Sequence, residues 1–132
     1  MSKNKSVQPT ESELEILQVL WAEGPSPVRA VNDRLNEQRE VGYTTTLKMM
    51  QLMLKKGLVA RDASSRTHIY RAAVTEAQTR AQLLDRFVDT AFRGSAMELV
   101  MQALGNEDTS EDELKEIKDF IQQIESERKK GK

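Results

Sequence analysis

The sequence contains no cysteine, which excludes disulfides, thiolate metal sites and thiol nucleophiles together. It has one histidine, His68, so a site built from several histidines is excluded as well. Its longest apolar runs, such as Leu99-Val100-Met101, fall far short of the roughly 20 residues a membrane-spanning helix needs. The opening stretch, MSKNKSVQPTES, lacks the apolar core of a secretory signal. No glycine-rich phosphate loop, catalytic triad or metal-ligand spacing occurs, so neither an enzyme nor a cofactor is expected. These absences describe a soluble, cytoplasmic protein that acts by binding.

What is present is a chain of 132 residues, enough for one domain or a small domain with an oligomerisation segment. Hydrophobic residues make up 38% and charged ones 31%, which suits a small helical protein with much surface, or one that completes its core by dimerising. The net charge of −1 conceals an asymmetry. Through Ala73 there are 11 Lys and Arg against 8 Asp and Glu; from Val74 onward there are 9 against 13. A basic first half and an acidic second half suggest separate tasks, although acidic helices also arise simply as solvated faces.

Helix starts are well marked. Thr10…Glu13, Thr75…Gln78, Ser95…Glu98 and Ser110…Glu113 have the spacing of capping boxes, in which side chains satisfy orphan backbone amides. Ser26-Pro27 reads as an N-cap followed by proline in the first turn. The first helix is expected over about 11–22, with Leu14, Leu17 and Trp21 on its apolar face, and the second over about 27–36. The third is expected over about 44–56, with Leu47, Met50 and Leu54 inward and Gly57 as its stop. The period then changes. Residues 58–62 and 68–72 are two short β-compatible runs joined by 63–67. Three more helices follow, over about 76–93, 96–104 and 111–127. The predicted fold class is mainly α with a small β-hairpin: a winged helix-turn-helix over 10–73 and a helical dimerisation region over 74–127. Residues 1–9 are expected to form a disordered arm, in which Lys3 and Lys5 add charge, and 128–132 a disordered tail.

The third helix carries the chemistry. Thr45, Lys48, Gln51 and Lys55 lie off its apolar stripe, and Thr44 and Thr46 sit in its first turn. Three β-branched threonines in a row are poor helix formers, so a purely structural role explains them incompletely. In a helix-turn-helix the second helix enters the major groove with its N-terminal residues foremost, where hydroxyls, amides and amines reach base edges and phosphates. The hairpin adds Arg61, Arg66 at the loop tip and Arg71, placed to meet the phosphate backbone. In the last helix Leu114, Ile117, Ile121 and Ile124 alternate at spacings of three and four, the seam of a helix that pairs with another. Leu84 and Val88 line the inner face of the fourth helix. The carboxylates of 111–116 read as a solvated face, and the methionines as adaptable core fillers.

Three segments together, PTESELEILQVLWAEGPSPVRAVNDRLNE, YTTTLKMMQLMLKKGLVARD and HIYRAAVTEAQ, resemble the penicillinase-repressor family (BlaI/MecI/CopY type). The likeness lies in a T-x-x-E helix start, the VLW that follows, a TT opening of the recognition helix, an L-K-K-G-L-V close and a wing ending near a tyrosine. It extends to E-D-x-S-x-D-E-L-x-E-I in the last helix. The resemblance implies a homodimeric repressor whose winged helices bind the two halves of a DNA operator. It assigns DNA contact to Thr44, Thr45, Thr46, Lys48, Gln51 and Arg66. It assigns dimerisation to Leu84, Val88, Leu99, Leu104, Leu114, Ile117 and Ile121. Two family features are missing. The copper-responsive branch has a C-terminal cysteine cluster, so copper sensing is not expected here. The β-lactam branch is cut at an Asn-Phe bond, whereas the corresponding stretch here is Val100-Met101-Gln102-Ala103-Leu104. A membrane sensor-protease therefore stays an open partner. A winged-helix module that binds protein without DNA sequence specificity is the alternative reading.

Overall fold

Thr10 opens the first helix through a complete capping box: its hydroxyl accepts from the Glu13 amide, and the Glu13 carboxylate accepts from the Thr10 amide. The computed structural model describes residues 8–106 and 108–131. Its elements are α1 (Glu11–Glu23), α2 (Val28–Leu35), α3 (Tyr43–Lys56), β1 (Val59–Asp62), β2 (Ile69–Ala72), α4 (Glu76–Phe92), α5 (Ala96–Leu104) and α6 (Glu111–Lys130). The order is the expected one, mainly helical with one antiparallel hairpin. Lys3 and Lys5 of the expected arm lie outside the described residues.

Two compact units divide the chain, residues 1–84 and 85–132. The division falls inside α4, later than the boundary expected after Ala73. In the first unit α1, α2, α3 and the hairpin enclose one core, in which Ile16, Leu17, Val31, Met50, Met53 and Tyr70 are almost wholly withdrawn from solvent. Burying each such side chain contributes about 1.5–3 kcal/mol, so this small set accounts for much of the unit's cohesion. Gly57 ends α3 in the left-handed conformation, φ 83°, which an L side chain adopts only at a cost. That stop lets Leu58 and Val59 turn back onto the core as the chain enters β1.

Ser26 does not cap α2. Its hydroxyl donates to the Gly24 carbonyl at 2.8 Å, and Pro27 occupies the N-cap without a side-chain bond. Its backbone instead exchanges two hydrogen bonds with Tyr70, both 2.8 Å, forming an isolated bridge to β2. The entry to α2 is thus pinned to the hairpin. Within the hairpin, Val59 pairs with Ala72, Ala60 with Arg71, Arg61 with Tyr70 and Asp62 with Ile69. Trp21 donates its indole N–H to the Val74 carbonyl at 3.0 Å, fastening the chain beyond β2 to α1.

The second unit is organised differently. α5 and α6 contain no buried residue, and α4, α5 and α6 make no extended contact with one another. Ser110 and Glu113 form the expected capping box at the start of α6. The helix continues to Lys130, so Arg128, Lys129 and Lys130 form its last turn rather than a tail. Basic side chains there complement the partial negative charge of the helix end.

Candidate nucleic-acid interface

At 3.6 residues per turn, Thr46, Met50 and Met53 share one side of α3, and all three are fully buried. The opposite side presents Thr44, Lys48, Gln51 and Lys55, all exposed, with Thr45 beside them. Leu52 flanks the same surface and is 48% exposed. Six of the seven side chains expected to meet DNA thus reach solvent: these five on α3, and Arg66 in the hairpin loop.

Thr46 is the exception. It is 0% exposed, and its hydroxyl accepts a 2.8 Å hydrogen bond from the Asn32 amide. Its assignment to DNA contact is therefore corrected to a structural one. The tripeptide Thr44-Thr45-Thr46 looks uniform in sequence, but helical rotation turns its third member inward.

Thr46 belongs to a network that sets the turn between α2 and α3. The buried Asn32 amide also donates to the Val41 carbonyl at 3.0 Å. Asn36 donates to that carbonyl at 2.8 Å and accepts from the Val41 amide at 3.1 Å. These bonds satisfy backbone groups that would otherwise be stranded beside the core, and they fix how α3 leaves the turn. Sequence reasoning missed both asparagines. A polar residue at Asn32, on the same helical face as Val28, Val31 and Leu35, was the available signal; Asn36, just past the end of α2, carried none.

The other end of α3 is held by charge. Lys56 donates to the Glu13 carboxylate at 2.7 Å, tying the last turn of α3 to the first turn of α1. Burial pushes the Glu13 carboxyl upward, but the Lys56 hydrogen bond and charge and the Thr10 amide outweigh it, leaving the group below its usual range. At the N-terminus of α3 the cap is Gly42, with no side-chain bond to the first-turn amides. Thr44 and Thr45 of that first turn are exposed, and helix-start amides without a side-chain cap favour an anion.

A groove of about 350 Å³ runs between α3 and the hairpin. Tyr43, Leu47 and Gln51 line it from α3, Arg29 from α2, and Arg61, Arg66 and His68 from the hairpin. The Arg29 guanidinium lies over the Tyr43 ring, 4.8 Å from its centroid. Arg29, Arg61 and Arg66 form no ion pair with any described residue. The loop is braced locally: the Ser64 amide donates to the Asp62 carboxylate at 2.9 Å, and the Ser65 hydroxyl to the Thr67 carbonyl at 2.7 Å. The Ser64 bonds, helped by Arg71, hold the Asp62 carboxyl below its ordinary value. No cluster of metal-ligating side chains occurs among the described residues. None of their helices is long and apolar enough to cross a membrane.

The residues expected to mediate dimerisation fall into three groups. Leu84, Leu114 and Ile121 are exposed, and Leu99, Leu104, Ile117 and Ile124 are half-buried. Val88 is only 8% exposed and packs within its own chain, so its expected place on the dimer surface is corrected. Sequence reasoning passed over Phe87, Met97, Val100, Met101 and Phe120, large apolar side chains that are all exposed. Phe87 stacks edge-on against Phe92, with ring centroids 5.7 Å apart.

The chain is similar to known proteins in sequence and in fold. The family model described as penicillinase repressor matches residues 9–123. The methicillin resistance regulatory protein MecI of Mammaliicoccus sciuri is 21% identical over 118 residues, covering 89% of this chain and 96% of that protein. The transcriptional regulator BlaI of Mycobacterium tuberculosis is 34% identical over 59 residues, 44% of this chain and 43% of its own. Among solved structures, RosR of H. salinarum is similar in fold, with a TM-score of 0.51 at 19% identity, covering 89% of this chain and 94% of that one.

Proposed function

The chain belongs to the penicillinase repressor family, and from that premise we propose that it is a sequence-specific, DNA-binding transcriptional repressor. One observation carries the reading. A single surface brings together the polar outer side of α3, its uncapped N-terminus and a hairpin whose Arg61 and Arg66 have no acidic partner among the described residues. α3 has the width and exposed chemistry to enter a major groove. Lys48 and Gln51 are the residues that read base edges, since amide and ammonium groups match the donors and acceptors displayed there. Thr44, Thr45 and Lys55 meet the flanking phosphates, and Arg66 meets the backbone beside the neighbouring minor groove.

The repressor acts as a homodimer. Support comes from the second unit, where Leu114, Ile121 and Phe120 stand exposed on α6 while Met97 and Met101 stand exposed on α5. Helices with no fully buried residue of their own form a core when a second copy supplies the opposing side. A two-fold dimer presents two copies of α3, so its operator is a pair of half-sites about one helical turn, or a multiple of it, apart. The cytoplasm is the compartment in which such a repressor meets its operator, and no catalytic step enters its action.

The test is selection of preferred duplexes from a random pool by the full chain, followed by binding of a Lys48→Ala, Gln51→Ala double variant. The reading expects a two-fold consensus, and weaker, less selective binding by the folded variant. Undiminished affinity and preference in the variant would remove α3 as the reading element.

A further inference from the structure

Arg29 stands outside every role assigned so far. It lies on the exposed side of the first turn of α2, with its guanidinium over the Tyr43 ring at 4.8 Å. Tyr43 is the first residue of α3, so this contact joins the two helices across their turn on the solvent side. Arg29 and Tyr43 form one wall of the groove whose other wall is Arg61, Arg66 and His68.

Three physical points bear on what this arrangement does. A guanidinium stacked on a ring is held by its face, which leaves its N–H edges pointing outward and unused. Arg29 has no ion-pair partner among the described residues, so those edges have no acidic group to bind there. Stacking also fixes a side chain that would otherwise lose much rotamer freedom on binding, which lowers the entropic cost of gripping a ligand. Cationic walls on both sides of a groove suit a line of negative charge running between them. When α3 lies in a major groove and the hairpin loop meets the adjacent minor groove, the strand separating those grooves passes between α3 and the hairpin.

We infer that the Arg29–Tyr43 pair is a pre-set clamp for a DNA backbone phosphate, facing Arg61 and Arg66 across the groove that seats the strand between major and minor grooves. The inference rests on the DNA-binding reading and adds a contact from α2 to it. Arg29 positions the protein on duplex DNA irrespective of sequence, and Tyr43 holds it ready.

The clamp is tested by fluorescence anisotropy of the full chain on a random-sequence duplex and on its selected duplex, across a series of salt concentrations. Arg29→Gln is expected to weaken binding to both by about tenfold, as for a lost bond to a charged group. It should also make the slope of log affinity against log salt shallower by about one unit. Tyr43→Leu keeps the charge and therefore the slope, but weakens binding; Tyr43→Phe keeps the ring and binds as the parent does. The losses in Arg29→Gln and Tyr43→Leu should not add when combined, because the ring acts only through the guanidinium. If the stack merely braces the α2–α3 turn, Arg29→Gln lowers the melting temperature and leaves the salt slope intact, which overturns the clamp. A parent protein with a steep slope and an Arg29→Gln variant with the same one overturns the clamp alone. A parent that binds no duplex at any salt overturns the clamp together with the functional reading beneath it.

Discussion

Glu13 sits at 3% exposure, holding the Thr10 amide with one oxygen and Lys56 with the other. Its carboxyl is below the ordinary value of 4.5 in the folded chain, so the folded state binds a proton there less readily than the unfolded state does. The stability it contributes is complete above that ordinary value and is lost as pH falls through the lowered one. Thermal melts should therefore show an acid-side loss of stability that Glu13→Gln attenuates. The same substitution should cost about 1–3 kcal/mol near neutral pH. Thr46 gives a second test at this scale. Thr46→Val preserves shape but strands one Asn32 N–H, so it should destabilise by about 1–3 kcal/mol while leaving DNA affinity unchanged in the folded protein. Urea titration and anisotropy on the same sample would check both halves. Neither role was readable in the sequence: Glu13 looks like a capping partner, and Thr46 like its neighbours, until the third dimension supplies Lys56 and Asn32.

The elements themselves were largely readable, for local reasons. Capping boxes at Thr10 and Ser110 and the left-handed stop at Gly57 are short-range chemistry, and the helices begin and end where those residues say. Ser26 shows where local reasoning fails, because its backbone pairs with Tyr70, distant in sequence and visible only after folding. α6 shows another failure: a run of basic residues at a C-terminus resembles a tail, yet it completes a helical turn. The hairpin's cationic residues were legible, but the groove they form with Arg29 was not, since it needs three elements at once. At this scale Arg66→Ala should weaken binding evenly across sequences and reduce the salt slope by about one unit. The α3 variants should instead change which bases are preferred. Anisotropy on a panel of single-base operator variants separates the two behaviours.

For the whole molecule, the two units differ in what they lack. The first unit encloses a core of its own, whereas α5 and α6 in the second contain no fully buried residue and expose Met97 at 72% and Phe120 at 61%. The seam of Leu114, Ile117, Ile121 and Ile124 was visible in the sequence because its spacing is local; Phe120 on the same helix falls outside that period and was not. Ile117→Glu with Ile121→Glu should yield monomers by sedimentation velocity with the first unit still folded. Operator affinity should then fall by on the order of a hundredfold, as joint engagement of two half-sites is lost. The outer side of α3 and its flanking arginines are the working surface in this account, and its most direct test is binding of the parent protein to duplex DNA as salt is raised. Measurable binding at low salt is expected, with a linear fall of log affinity with log salt at a slope of about −0.9 per phosphate contact. No binding to duplex, or an affinity indifferent to salt, would contradict it.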